Sequence, residues 1–153
     1  MKAKLLFLTV SVLFFYACKK DKASTKPKIT ITKVEKQNVI YNNSAGITLD
    51  IDIEVLDKEG DVRDSVFIKK RDAAVIPCGG NTIDLFYNIP FYPDDKKQKI
   101  TFRLKFASIQ IPEYALLPGP QCGSRKDTST FSIWVKDKAG NRSDTVTTQR
   151  IAL

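Results

Sequence analysis

The sequence predicts an all-β sandwich of seven antiparallel strands. Several short segments alternate apolar and polar residues, as strands with one buried face do, and no persuasive 3.6-residue period is present. A turn of sequence Asp-Lys-x-Gly also occurs twice, at a constant offset of 80 residues, in the matching segments 55–66 and 135–146. Glycine supplies a positive φ and aspartate can accept hydrogen bonds from the following backbone, so both turns are predicted to connect strands.

Residues 1–17 are predicted to be a signal peptide. Lys2 and Lys4 precede an apolar run over 5–17, which is too short for a comfortable bilayer span but suits the core of a signal peptide. The sequence Phe15-Tyr16-Ala17-Cys18 resembles the lipobox of bacterial lipoproteins. That resemblance implies a lipid on Cys18 and a place in the cell envelope, which we expect to be the outer membrane. The alternative is an ordinary secretory leader with an incidental cysteine.

Residues 18–27 are predicted to be the lipidated cysteine and a flexible basic tether. Over 19–28 no aliphatic residue is larger than alanine, so the segment cannot pack into a core. The leader carries +2 and residues 19–28 carry +4 of the chain's formal net charge of +8, which leaves +2 for residues 29–153, so the domain predicted over 28–153 is nearly neutral. Because the excess charge would lie beside lipid headgroups, we expect a membrane contact and no nucleic-acid partner.

Cys78 and Cys122 are expected to form a disulfide. Both lie in loop sequences of a chain that is expected to be exported, where disulfides form and persist. Closing a loop of this length would stabilise the fold by about 4 kcal/mol in the chain-entropy description. Free thiols or a metal pair have less support, because the chain contains no histidine and no C-x-x-C motif.

Alternating residues and turn signals locate the strands in order. The first covers 28–34, and the second, over 47–55, has the clearest half-buried pattern. The remaining strands are expected over 65–70, 82–87, 99–106 and 130–135 and around Val146. Polar residues over 41–46, a turn over 90–97 and a long proline-rich loop over 108–127 separate some of them.

The two turn motifs, with Val-x-Asp-Lys-x-Gly in the first and Trp-Val-x-Asp-Lys-Ala-Gly-Asn-x-Ser in the second, resemble those of bacterial immunoglobulin-like and fibronectin type III-like modules. The resemblance covers about residues 28–153 and implies strands A, B, C, C′, E, F and G. It implies that the two turns lie at one pole and the cysteine loops at the other. It also implies that B pairs with E, which would set Asp50, Asp52 and Glu54 opposite basic residues. Such sandwiches host many functions.

We expect no enzymatic activity and no catalytic residues. The sequence has no histidine, no G-x-S-x-G motif and no phosphate-binding loop. Asp94 and Asp95 could act as an acid and a base, but adjacent acids beside two lysines are more simply solvated turn residues. A hydrolase built from carboxylates is the remaining enzymatic alternative.

No cofactor is expected apart from calcium, which is a weaker alternative at the two turns. If the turns share a pole, they could bring together the oxygen atoms that calcium prefers, from Asp57, Glu59, Asp61, Asp137 and Asn141. Aspartate and asparagine are also the residues that tight turns favour. Because a lysine follows the first aspartate of each turn and reduces the negative charge, we favour turn formation over metal binding.

Trp134 and Phe67 form the candidate binding face. Alternation directs both side chains outward from neighbouring strands, F and C. We favour the interpretation that the 108–127 loop covers these rings; if they are exposed, they would mark a protein or glycan site. The predicted function is a lipid-anchored envelope module with a non-enzymatic protein-interaction or structural role. The alternative is a glycan-binding accessory lipoprotein of a polysaccharide-uptake system.

Overall fold

In the computed structural model, the chain is described over residues 26–62, 65–72, 82–88, 98–117 and 128–153. All regular secondary structure in these ranges is β-strand. The strands are β1 Lys28–Tyr41, β2 Ser44–Asp57, β3 Ser65–Asp72, β4 Thr82–Asn88, β5 Gln98–Ala107, β6 Ala115–Leu116, β7 Thr128–Val135, β8 Val146–Thr147 and β9 Ile151–Ala152. Within these ranges no helix has the length and apolar character needed to cross a membrane.

The strands form two sheets. One has the order β1-β2-β5-β6, and the other has the order β4-β3-β7-β8, with β9 also paired to β7. The described pairs are antiparallel except that β6 runs parallel to β5. The architecture is therefore all-β, as predicted. It has nine described strands rather than seven, because β6 is added and the predicted last strand is divided into β8 and β9.

One apolar core joins the two sheets. Alternate residues of β2 and β5 point into it from one side, and alternate residues of β3 and β7 point into it from the other. Phe106 and Phe131 meet across the core with ring centroids 5.6 Å apart. The core side chains are Ile29, Leu49, Ile51, Ile53, Val55, Val62, Val66, Ile68, Ile100, Phe102, Leu104, Phe106, Leu117, Phe131, Ile133 and Val135. The sheets therefore pack face to face as a sandwich.

Strands β1 and β2 form one long hairpin, which extends through the polar residues 41–46 that separate the two predicted strands. Its two-residue turn is Asn42-Asn43, with φ of 48° and 62°. Asparagine tolerates this left-handed conformation, and two such residues form the turn that matches the natural twist of a hairpin. The strands are therefore longer than the predicted 28–34 and 47–55, because the asparagine pair forms a tight turn inside a continuous ladder.

Charged residues pair across β2 and β5 on the outer face of the first sheet, as predicted. Asp52 lies opposite Arg103 and accepts hydrogen bonds from its Nε at 2.7 Å and its second terminal nitrogen at 2.8 Å. The hydrogen bond and charge of Arg103 lower the pKa of Asp52. The Nζ of Lys99 lies 2.8 Å from Oε2 of Glu54. These contacts confirm the predicted pairing of the second strand with the strand over 99–106.

The division between β8 and β9 has a local cause in hydroxyl side chains. Thr148 donates its N–H to the carbonyl of Phe131, but its Oγ1 then accepts the N–H of Phe131 at 3.0 Å. Ser143, which precedes β8, makes the same two contacts with Val135. It donates its N–H to the carbonyl of Val135, and its Oγ accepts the N–H of Val135 at 3.0 Å. A side chain thus replaces a backbone carbonyl in the ladder at both places, and the last strand is irregular.

Candidate functional site

Trp134 and Phe67 lie together on the outer face of the second sheet, as their alternation predicted. They are directly opposite each other on β7 and β3. Their rings are 5.6 Å apart between centroids and only 5° from parallel, which is a stacked cross-strand pair. Both side chains are half-buried. The adjacent strands therefore hold an aromatic pair in one fixed arrangement on an outer face.

Two cations extend this pair into a row. The Nζ of Lys136 lies 5.2 Å from the centroid of Phe67, and the guanidinium carbon of Arg142 lies 4.5 Å from that of Trp134. Cations at such distances are attracted by the ring faces. Arg142 belongs to the segment that follows β7. An isolated antiparallel β-bridge sets it opposite Lys136. We call Phe67, Trp134, Lys136 and Arg142 the aromatic–cation row.

The strand order determines which sides of the indole are covered. β7 lies between β3, which carries Phe67, and the segment that carries Arg142. The phenyl ring and the guanidinium therefore flank Trp134 from opposite sides. A sugar usually stacks on an open aromatic face, but here both sides of the indole already have a partner.

A groove of about 470 Å³ is lined by three members of this row, Phe67, Trp134 and Arg142. Phe67, Leu85 and Trp134 provide apolar lining, and Lys69, Asp84 and Arg142 provide charges. The Nζ of Lys69 lies 3.8 Å from Oδ1 of Asp84, so the net charge of this pair is close to zero. Arg142 donates one hydrogen bond to Oγ1 of Thr145 at 2.9 Å and has no carboxylate partner in the described chain. The groove therefore combines an apolar surface with a net positive rim.

The described part of the long loop lies away from this groove. Residues 108–117 follow β5, and β6 within them joins the edge of the first sheet. Leu117 is buried in the core. Residues 118–127 lie outside the described residues, so the predicted covering of Trp134 by this loop remains a prediction.

The two Asp-Lys-x-Gly turns lie side by side, which confirms the predicted shared pole. The N–H of Lys138 donates to the carbonyl of Asp61 at 3.2 Å and joins one turn to the other. The first turn passes from one sheet to the other, whereas the second joins β7 to its neighbour in the same sheet. Gly60 and Gly140 both have the positive φ expected, at 72° and 83°. We call this contact the turn junction.

Asp57 and Asp137 form the same hydrogen bond in the two turns. They are 3% and 1% exposed, and each carboxylate accepts the backbone N–H four residues later. The N–H of Asp61 lies 2.8 Å from a carboxylate oxygen of Asp57, and the N–H of Asn141 lies 2.7 Å from one of Asp137. The side-chain amide of Asn141 also donates to Asp137 at 2.8 Å. The forward hydrogen bonding predicted for these aspartates is confirmed, and it explains why both turns need aspartate there.

Three of the five predicted calcium ligands lie within reach of one ion. One carboxylate oxygen from each of Glu59, Asp61 and Asp137 lies within 4.8 Å of the others. Asp57 is occupied by the backbone amides of its turn, and Asn141 directs its amide group to Asp137. Calcium takes six to eight oxygen ligands. The carboxylates alone supply only part of such a set, and calcium binding remains the weaker, untested alternative to turn formation.

Asp61 is the carboxyl group of the turn junction whose pKa is raised. One of its carboxylate oxygens is buried and accepts no hydrogen bond in the described structure. Burial raises the pKa of Asp61 most, followed by the contact with the carboxylate of Asp57 and the negative charge of Asp137. The two turns therefore hold more negative charge together than their own amides neutralise.

Several predicted features lie outside the described residues. They are the leader over 1–17, lipidation of Cys18, the tether up to residue 25, the Cys78–Cys122 disulfide and the Asp94-Asp95 pair. Arg142, in contrast, is a described site residue that the sequence interpretation did not name. Its signal was the hairpin register, because pairing across the second turn sets Arg142 beside Lys136 and hence beside Trp134.

The chain matches no protein-family model, no curated protein and no solved structure.

Proposed function

We propose that this protein is a non-enzymatic interaction module, held in the cell envelope by a lipid on Cys18, that binds a protein partner through the aromatic–cation row. The observation that carries the proposal is the fixed stack of Phe67 and Trp134 between two cations beside an open groove. Tryptophan and arginine are the residue types that most often dominate binding energy at protein interfaces. Neither a catalytic group nor a cofactor is needed for this function.

The strand order supports the finer fold proposal of an immunoglobulin-like or fibronectin type III-like sandwich. With β1, β2 and β5 as A, B and E, and β4, β3, β7 and β8–β9 as C′, C, F and G, both sheets have the order that such modules use. In this assignment β6 is a short addition at the edge of E. The fold supplies a rigid surface, and the function belongs to the row placed on it.

The lipid anchor would place the aromatic–cation row near the membrane. β1 begins at Lys28, opposite Leu56, at the end of the sandwich that carries the turn junction. Phe67 and Trp134 are close to the same end, because the neighbouring pair Val66 and Val135 lies next to the turns. A ten-residue tether reaches at most about 35 Å when it is extended. The row would then be available to a partner in the same membrane.

The geometry favours a protein partner over the glycan alternative. A sugar ring would need to displace Phe67 or Arg142 before it could stack on Trp134, since these residues flank the indole from both sides. A protein can instead use the groove edge, where an apolar surface and charges lie together. A protein can therefore bind without separating Trp134 from Phe67 or from Arg142.

Site-specific photocrosslinking in the lipidated protein, within its own envelope, tests the proposal. The crosslinking residue replaces Asp84, which is exposed on the groove, and in a matched control it replaces Glu113, which is an exposed acid paired with Lys105 at 3.5 Å elsewhere. We expect a discrete protein adduct from position 84 and none from position 113. The same adducts from both positions, or no protein adduct from position 84, would contradict the proposal.

A further inference from the structure

We propose that the partner's contact segment is acidic and carries an apolar side chain, so that its carboxylates bind Arg142 and Lys136 while the apolar group enters the groove beside Phe67 and Trp134. This inference rests on the proposed function and adds the chemistry of the partner. It follows from two features: neither cation has a carboxylate partner in the described chain, and the groove beside them has apolar lining.

The stacked arrangement leaves Arg142 able to bind an anion. A guanidinium that lies over a ring uses its face for the ring and keeps its N–H groups available in its plane. Within the described residues, one hydrogen bond uses those groups, the one to Oγ1 of Thr145. A carboxylate could therefore be bound by two parallel hydrogen bonds, which is the geometry that arginine favours.

Lys136 provides a second positive group on the same row. It is exposed and lies over Phe67, and in the described chain neither Lys136 nor Arg142 has a carboxylate within ion-pair distance. The acid of the groove, Asp84, lies next to Lys69 instead. Two uncompensated cations beside an apolar groove are complementary to a segment that combines acidic and apolar residues.

The observations disfavour two other occupants, the first sheet of a second copy and an anionic membrane. The first sheet offers few free acids, because Asp52 and Glu54 are already paired with Arg103 and Lys99. An anionic membrane surface would be met best by protruding aromatic side chains, whereas Trp134 is half-buried between Phe67 and Arg142. The test must therefore distinguish membrane binding from the binding of an acidic protein segment.

Trp134 is the only tryptophan of the chain, so its fluorescence reports directly on this row. The full lipidated protein, in nanodiscs of neutral phosphatidylcholine, is titrated with a twelve-residue peptide of alternating glutamate and valine and with its lysine–valine counterpart. We expect only the acidic peptide to shift the emission and to protect it from acrylamide. Binding should weaken roughly five- to tenfold in Arg142→Gln and in Lys136→Gln and should fall with added salt.

Arg150→Gln is the matched control, since Arg150 is an exposed arginine in the same carboxyl-terminal segment but lines a different groove. Equal binding of the two peptides, no response to either, or unchanged binding in both Gln variants would overturn the inference. A response only to nanodiscs that contain anionic phosphatidylglycerol would overturn it in favour of a membrane contact. If the acidic peptide fails while the adduct at position 84 persists, this inference fails and the proposed function stands. If the peptide binds but no adduct forms at position 84, the proposed protein partner is contradicted, and the result shows only that the row can bind an acidic segment.

Discussion

Asp61 faces three other carboxylates, and its protonation should influence the stability of the whole fold. Asp57, Glu59 and Asp137 surround it, and its pKa is raised above the ordinary value of 3.8. A carboxyl group with a higher pKa in the folded chain binds its proton more tightly there than in the unfolded chain. The contribution of Asp61 to the free energy of unfolding therefore falls as pH rises from about 3.8 to its raised pKa, opposite in sign to the contribution of Asp52, whose pKa is lowered.

Asp61→Asn should consequently be more stable than the wild-type protein at neutral pH in the presence of a chelator. The substitution removes the repulsion but keeps the backbone carbonyl that accepts the N–H of Lys138. Denaturant unfolding at pH 4 and pH 7 measures the difference, which should shrink at the lower pH. A less stable variant at pH 7 would contradict this account of the turn junction.

Calcium added to the same two proteins separates a metal site from turn chemistry. Because Asp57 and Asp137 already serve backbone amides, we expect the stability difference to be unchanged by calcium. A calcium-dependent gain in the wild-type protein that Asp61→Asn lacks would show that the carboxylates bind a metal.

At the level of strands, hydroxyl side chains hold the irregular last strand against β7. Thr148→Val removes Oγ1 but keeps the shape of the side chain, and it leaves the buried N–H of Phe131 without its acceptor. We expect a loss of about 1–3 kcal/mol in the free energy of unfolding, measured by denaturant titration. Thr148→Ser keeps the hydroxyl and should lose much less. Equal losses in the two variants would assign the effect to packing instead.

The β1–β2 hairpin is fixed by a close approach between Gly46 and Ile109. A Cβ at position 46 would lie 2.7 Å and 2.8 Å from two carbons of Ile109. Gly46→Ala should therefore destabilise the fold by about 1–3 kcal/mol, as overpacking does. Combining it with Ile109→Ala should cost less than the sum of the two single substitutions, because the second removes the two closest contacts and leaves only Oγ of Ser108, at 2.9 Å from the added Cβ. Additive losses in this double-mutant cycle would contradict the contact.

Regular strands were predictable because burial of one face imposes a period of two. The pairing of β2 with β5 was predictable as well, since Asp52 and Arg103 carry opposite charges at facing positions. Lys70 follows the same alternation into a fully buried position, where its charge alone would have suggested an outward side chain. The division at Thr148 was not predictable, because it depends on a three-dimensional contact with Phe131.

The candidate site was predictable only in part. Alternation and strand neighbours were enough to bring Phe67 and Trp134 together. Arg142 required the register of the second hairpin, which the turn motif alone does not define. Sequence therefore indicated the aromatic pair, and the register supplied the cation that covers one side of the indole.

At the level of the whole molecule, the lipid proposed on Cys18 would determine where the row acts. Cys18→Ala should leave the leader uncleaved by the lipoprotein peptidase and the protein unlabelled by fatty acid. The domain over 28–153 should keep its fold, because β1 begins after the tether. Fatty-acid labelling and mass measurement test this. A Cys18→Ala protein that still matures at the same site and stays membrane-bound would contradict the lipoprotein proposal.

The most direct test of the central claim is the yield of the adduct at position 84 after removal of the tryptophan. Trp134→Ala is compared with Tyr114→Ala, which removes another aromatic ring under a cation, 5.5 Å from Lys105 and away from the groove. Circular dichroism first establishes that both variants are folded. We predict that Trp134→Ala lowers the adduct yield at least tenfold, as a hot-spot residue would, while Tyr114→Ala leaves it unchanged. An undiminished adduct in folded Trp134→Ala would contradict the claim that this row is the binding site.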